Sequence, residues 1–140
     1  MSTIGFTTGI LDTSTIILFE RLDDEDLPDE PLITAVTLAE LSVGPLVAND
    51  DRERAARQAR LQQAEADFDP LPFDAEAARA FGRVAASLRQ AGRKVQARTY
   101  DAMIAATAIA NRLPLYTVNP TDFEGIADLV LRGVAHPDHH

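Results

Sequence analysis

Four acidic residues, Asp12, Glu40, Asp101 and Asp122, each stand where an apolar run gives way to a helix start. Their settings are Ile10-Leu11-Asp12-Thr13-Ser14, Thr37-Leu38-Ala39-Glu40-Leu41, Asp101-Ala102-Met103-Ile104-Ala105-Ala106 and Thr117-Val118-Asn119-Pro120-Thr121-Asp122-Phe123. Carboxylates set into apolar sequence need their charge compensated, and a divalent cation is the usual compensator. A set without cysteine or a core histidine is all oxygen, which favours Mg²⁺ or Mn²⁺ over zinc. Thr13, Ser14, Thr117 and Asn119 are neutral oxygen donors placed to orient the acids or bound water. The chemistry this predicts is metal-dependent hydrolysis.

Positioning such a set requires elements that converge. Thr8 to Asp12 reads as a strand, with Thr13 or Ser14 capping a helix through Thr15 to Glu20. Pro31 to Val36 reads as a second buried strand, followed by a helix with Thr37 as N-cap and Glu40 three residues later. Gly44-Pro45 ends or interrupts that helix, and 51–66 reads as a solvated one. Phe68 to Phe73 is a short edge strand, because Pro70 and Pro72 cannot donate to a central ladder. Asp74 caps a helix reaching about Ala91, which Gly92 stops. Thr99 to Asn111 is the most apolar helix, Leu113 to Val118 a strand, 119–122 a loop with a new helical turn, and Ala127 to Val134 the last strand. Alternating strands and helices predict a largely parallel α/β sheet, whose strand ends gather the four acids at one crevice.

Each acid has a structural alternative. Asp12 can cap the first helix, Glu40 can complete a capping box with Thr37, Asp101 can complement its helix dipole, and Asp122 can cap the turn holding Phe123. Convergence distinguishes a site from four caps.

A length of 140 residues and 46% hydrophobic content fit one domain, 1–134, with a polar tail over 135–140. In that tail His136, His139 and His140 read as a frayed terminus or a cloning remnant rather than as ligands. No stretch has the roughly 20 apolar residues of a membrane span, and no basic, apolar leader opens the chain, so a cytoplasmic location is expected. The absence of cysteine excludes disulfides, thiolate metal sites and cysteine nucleophiles.

A net charge of -9 opposes nucleic-acid binding by the whole surface, yet the charges are segregated. Glu20 to Glu30 holds seven acids against Arg21, whereas Arg79 to Tyr100 holds Arg79, Arg83, Arg89, Arg93, Lys94 and Arg98 with no acid. The alternatives for that basic stretch are a solvated helix face and a phosphate-binding rim; in the second, Arg89, Arg93, Lys94 and Arg98 are the candidate contacts.

Taken in order, the four motifs resemble the PIN-domain family, specifically the VapC-type toxins of bacterial toxin-antitoxin pairs, from Ile10 to about Val134. The resemblance implies a three-layer α/β/α sandwich around a mainly parallel sheet and an Mg²⁺- or Mn²⁺-dependent endoribonuclease acting on tRNA or ribosomal RNA. Asp12, Glu40 and Asp101 would be the core acids, Asp122 the fourth and more variable one, and Asn119 the polar residue of the last motif. It further implies a homodimer and a cognate VapB-type antitoxin whose C-terminal segment fills the acidic groove. The chain departs in carrying residues 1–8 ahead of the first strand and in its highly acidic 20–30 loop.

Three alternatives remain at the level of sequence. An aspartyl phosphatase of the haloacid-dehalogenase type wants a second Asp two residues after Asp12, where Ser14 stands. A receiver domain needs a lysine after a late strand, but the sole lysine, Lys94, precedes the apolar helix. A catalytically inert PIN-like module that only binds a partner is the third.

Overall fold

Ile10 and Leu11 are consecutive and both fully buried, as a strand covered on its two faces requires. In the computed structural model, which describes residues 6–138, they lie in β1 (Thr8–Leu11) near the middle of a sheet with β2 (Glu30–Leu32), β3 (Leu115–Thr117) and β4 (Leu131–Gly133). The strand order is β2-β1-β3-β4 and all neighbours are parallel, with Ile10 opposite Leu32 and Leu115. Gly9 is required by a close approach: a Cβ there would fall within 2.6 Å of Tyr116 Cδ1.

Ile10 and Leu115 face α5 (Thr99–Ala110), packing on Ile104, Ala105 and Ala108. Leu11 faces the other way, onto Ile16 of α1 (Thr13–Ile17) and Ala64 of α3 (Asp51–Asp67). Helix α2 (Ala35–Val43) contributes Val36 to the first cluster and Leu41 to the second. α4 (Ala75–Gln90) backs α5 through Ala80, Val84 and Leu88 against Ala102 and Ala106, small residues that let the two helices approach closely. The result is the expected helix, sheet, helix arrangement. Among the described residues, no helix is long and apolar enough to cross a membrane.

Several boundaries differ from the sequence reading. Asp12, not Thr13 or Ser14, caps the first helix, which ends at Ile17 before a 3-10 turn at Phe19–Arg21. Thr34, not Thr37, caps α2: its hydroxyl accepts from the Thr37 amide at 3.1 Å, so the capping box with Glu40 does not form. The expected strand over Phe68 to Phe73 reduces to one bridge, Leu71 with Thr34, and the last strand is confined to Leu131–Gly133. α4 ends as expected, capped at its start by Asp74 and closed by Gly92 at φ 76, with the Arg93 amide returning to the Leu88 carbonyl at 2.8 Å. That reversal aims the 91–98 segment at the turn carrying Asp122.

His139 and His140 lie outside the described residues. His136 Nδ1 accepts from the Asp138 amide at 3.1 Å, and Asp138 pairs with Arg21 at 2.6 Å.

Candidate active site

The sheet order reverses at β1, where β2 lies on one side and β3 on the other, and this opens a crevice at the carboxyl ends of the strands. Asp12 is the first residue beyond β1 and is 2% exposed. Its Oδ1 accepts from the Thr15 amide at 3.2 Å and from the Thr15 hydroxyl, and its Oδ2 accepts from the Thr117 hydroxyl at 2.8 Å. Those hydroxyls are themselves fixed, Thr15 Oγ1 accepting from the Val118 amide at 3.1 Å and Thr117 Oγ1 from the Asn119 amide at 2.9 Å. Asp12 therefore does cap α1, but capping uses one oxygen and the other is clamped to the end of β3.

Glu40, freed from any cap, is half-buried in α2, where the Thr13 hydroxyl donates to its Oε1 at 2.6 Å. Thr37 Oγ1 lies 3.0 Å from Thr13 Oγ1; because Thr13 spends its one proton on Glu40, Thr37 is the donor in that contact. Asp101 stands in the first turn of α5, whose amide end favours negative charge. Asp122 belongs to a 3-10 turn, Pro120–Phe123, that Phe123 anchors in the core; no side chain caps that turn.

The acids sense one another. Burial raises the Asp101 carboxyl from 3.8 to about 6, helped by the negative charges of Asp122, Asp12 and Glu40 and opposed by Arg98. Burial also raises Asp12, against the lowering by its Thr15 and Thr117 donors and with a further push from Asp122. Glu40 moves up by burial, countered by the Thr13 hydrogen bond and reinforced by Asp12. Four segments distant in sequence thus place carboxylates in one electrostatic neighbourhood.

Two of the four proposed phosphate-contacting cations are already occupied. Arg98 Nη1 donates to the Asp122 carbonyl at 3.1 Å and to Asp122 Oδ1 at 3.3 Å, and Arg93 Nη1 donates to the carbonyls of Thr121 and Glu124 at 3.0 and 2.8 Å. These arginines hold the Asp122 turn against the α4–α5 connection. Arg89 and Lys94 are exposed, and among the described residues their side chains have no hydrogen bond or ion pair. Among the described residues, the side chains of Ser14 and Asn119 donate to none of the four acids, whereas the Thr13 hydroxyl donates to Glu40 and the Thr117 hydroxyl to Asp12. Sequence reasoning missed Thr15 and gave Thr37 the wrong task. The Asp12-x-x-Thr15 spacing, an N-cap and the residue it reaches, was the available signal for the first.

A cleft of about 490 Å³ opens beside the acids, lined by Glu40 and by Gln96 through Asp101. Its donor chemistry fits a hard divalent cation: Glu40 and Asp101 line it, the negative charges of the four acids act on one another, and a cation reverses that penalty. Among the described residues no three acids or histidines form a ready-made cage.

A family model described as the PIN domain matches residues 10–129. The chain belongs to the PIN-domain family. Its relatives include ribonuclease VapC5 of Mycobacterium tuberculosis (strain ATCC 25618 / H37Rv), 44% identical over 112 residues that make up 78% of this chain and 81% of that protein. Ribonuclease VapC1 of Rickettsia felis is 30% identical over 133 residues, 92% of this chain and 98% of the relative. Among solved structures, VapBC-5 from M. tuberculosis, a member of the VapBC family of toxin-antitoxin systems, superposes with a TM-score of 0.80 at 39% identity, over 91% of this chain and 99% of that one. FitAcB from Neisseria gonorrhoeae gives 0.66 at 25% identity, over 94% and 99%. Membership of the PIN family sets aside the phosphatase and receiver alternatives, and the four-stranded parallel sheet is the PIN-like sheet expected from the motifs.

Proposed function

We propose that this PIN-domain chain is a metal-dependent endoribonuclease, the toxin of a toxin-antitoxin pair, hydrolysing phosphodiester bonds in tRNA or ribosomal RNA. The observation that carries the reading is the gathering of Asp12, Glu40, Asp101 and Asp122 at the carboxyl edge of the sheet, the first three raised chiefly by burial with a further push from the charge of others in the set, and Asp122 paired with Arg98. Relatives named ribonuclease VapC and solved VapBC complexes support both the activity and the partner, a VapB-type antitoxin; a homodimeric toxin is part of the same proposal.

In this mechanism Asp12, Glu40, Asp101 and Asp122 would hold Mg²⁺ or Mn²⁺, directly or through water, and the cation would supply Lewis acidity to activate the attacking water and offset charge on the phosphoryl oxygens. Thr15 and Thr117 lock the Asp12 carboxylate in one orientation, and Thr13 does the same for Glu40 Oε1. Arg98 and Arg93 fix the Asp122 turn by holding the Asp122 carbonyl and the backbone on either side of it. Arg89 and Lys94, the uncommitted cations, take the flanking phosphates of the RNA. No side-chain nucleophile is called for: the chain has no cysteine, and His136, the one described histidine, is bonded locally to Asp138.

The test is to purify the chain free of partner, incubate it with total RNA in Mg²⁺ or Mn²⁺, and map new 5′ ends beside an EDTA control. Discrete cuts that disappear with EDTA are expected and name the target. A folded, metal-loaded protein that leaves all RNA intact would contradict the reading in favour of an inert partner-binding module.

A further inference from the structure

We infer that Tyr100 is a stacking platform for an unpaired nucleobase next to the scissile phosphate; this rests on the nuclease reading above. Tyr100 is 55% exposed, precedes Asp101 in α5, and lines the same cleft as Asp101 and Glu40. An aromatic ring left this open keeps unused apolar area that an occupant of the cleft would cover.

The surroundings of the ring identify the occupant. The wall from 96 to 101 surrounds the ring with the hydrogen-bonding side chains of Gln96, Arg98, Thr99 and Asp101 beside Ala97. A nucleobase suits this wall: it offers one flat face to an aromatic ring and hydrogen-bonding edges to groups such as Gln96 and Thr99. Continuity with the acids sets the register, because a base on Tyr100 puts its backbone beside Asp101, while Lys94 on the same segment is free for a phosphate. The apolar groups more exposed than Tyr100, namely Leu46 at 83%, Phe6 at 66% and Val47 at 60%, do not line this cleft. Bases inside a duplex are stacked on one another and offer no face to the ring.

The experiment compares wild type with Tyr100→Ala, Tyr100→Phe and Tyr100→Trp on a short single-stranded RNA spanning a mapped cut, and on the same RNA abasic at the stacked position. Tyr100→Ala should lower kcat/KM roughly 5- to 150-fold, mainly through KM, while Phe and Trp stay within a few-fold of wild type. The abasic RNA should erase the difference between wild type and Tyr100→Ala. The chain has no tryptophan, so Tyr100→Trp also installs a unique fluorophore; with Ca²⁺ replacing Mg²⁺, its emission should change with the single strand and not with the duplex. Unchanged kcat/KM in a folded Tyr100→Ala protein, with Asp101→Asn inactive, overturns the platform and leaves the nuclease standing. Unchanged RNA kinetics with weakened antitoxin binding gives the ring to the protein partner and overturns it equally. Wild-type protein that cuts no RNA removes the nuclease reading and this subsite with it.

Discussion

A buried carboxylate stays charged at neutral pH only where donors or cations compensate it, and Asp12, 2% exposed, has hydroxyl donors on both oxygens. Thr117→Val keeps the shape and removes one of them, so RNA cleavage should fall about 10- to 100-fold with the fold retained, read from initial rates and circular dichroism. Asp12→Asn keeps a capping oxygen while deleting a charge that burial disfavours; thermal unfolding should show a metal-free midpoint no lower than wild type and little response to Mg²⁺. The pH dependence follows from the raised acids. Between about 4 and 6 the folded protein keeps a proton on Asp101 that the unfolded chain has released, so metal-free stability declines as pH rises through that window and levels off above it. Asp12 and Glu40 shift in the same direction and reinforce the trend. A divalent cation takes the ionised acids, so the gain in midpoint on adding Mg²⁺ should grow across the same window; a gain independent of pH would take Asp101 out of the cation site.

At the scale of elements, caps decide where the site residues point. The sequence reading puts Thr34 inside the second strand and starts α2 at Thr37, because local pattern alone does not set where the strand ends. Tertiary pairing does: the Ala35 amide donates to the Leu71 carbonyl and the Leu71 amide to the Ile33 carbonyl, which fixes extended backbone up to Thr34 and starts the helix there. Glu40 thereby leaves a capping box and becomes available to Thr13, a consequence legible only once Leu71 is in place. Asp12, Asp74 and Gly92 were readable as helix punctuation because their signals are local, and the parallel sheet was readable from alternating elements. The engagement of Arg93 and Arg98 with the 121–124 turn was not, since it joins segments about 30 residues apart. Thr34→Ala should cost about 1 kcal/mol in denaturant unfolding. Arg112, the left-handed residue closing α5 at φ 56, carries a backbone penalty that glycine lacks, and Arg112→Gly should be neutral to stabilising by up to about 1 kcal/mol.

Across the whole molecule, an acidic protein holds a polyanion by sorting its charges. The far end of the 20–30 acidic stretch is tied down at the amino edge of the sheet, where Asp29 accepts from the Thr7 amide at 2.8 Å and Glu30 from the Thr8 hydroxyl at 3.0 Å, opposite the edge that carries Asp12. The acid-free 79–100 stretch supplies α4 and much of the cleft wall. Lys94→Ala with Arg89→Ala should therefore weaken single-stranded RNA binding and flatten its salt dependence by roughly 0.7 log units per decade for each phosphate that is no longer neutralised, measured by titration across ionic strength. The most direct test of the metal-nuclease assignment is the rate of RNA cleavage by partner-free protein as Mg²⁺ is titrated, for wild type beside Asp12→Asn, Glu40→Gln, Asp101→Asn and Asp122→Asn. Cleavage should be absent in EDTA, saturate with Mg²⁺, and be abolished or shifted to higher Mg²⁺ by each substitution, most strongly at Asp12 and Asp101. Cleavage that persists in EDTA, or that survives all four substitutions unchanged, would contradict the assignment.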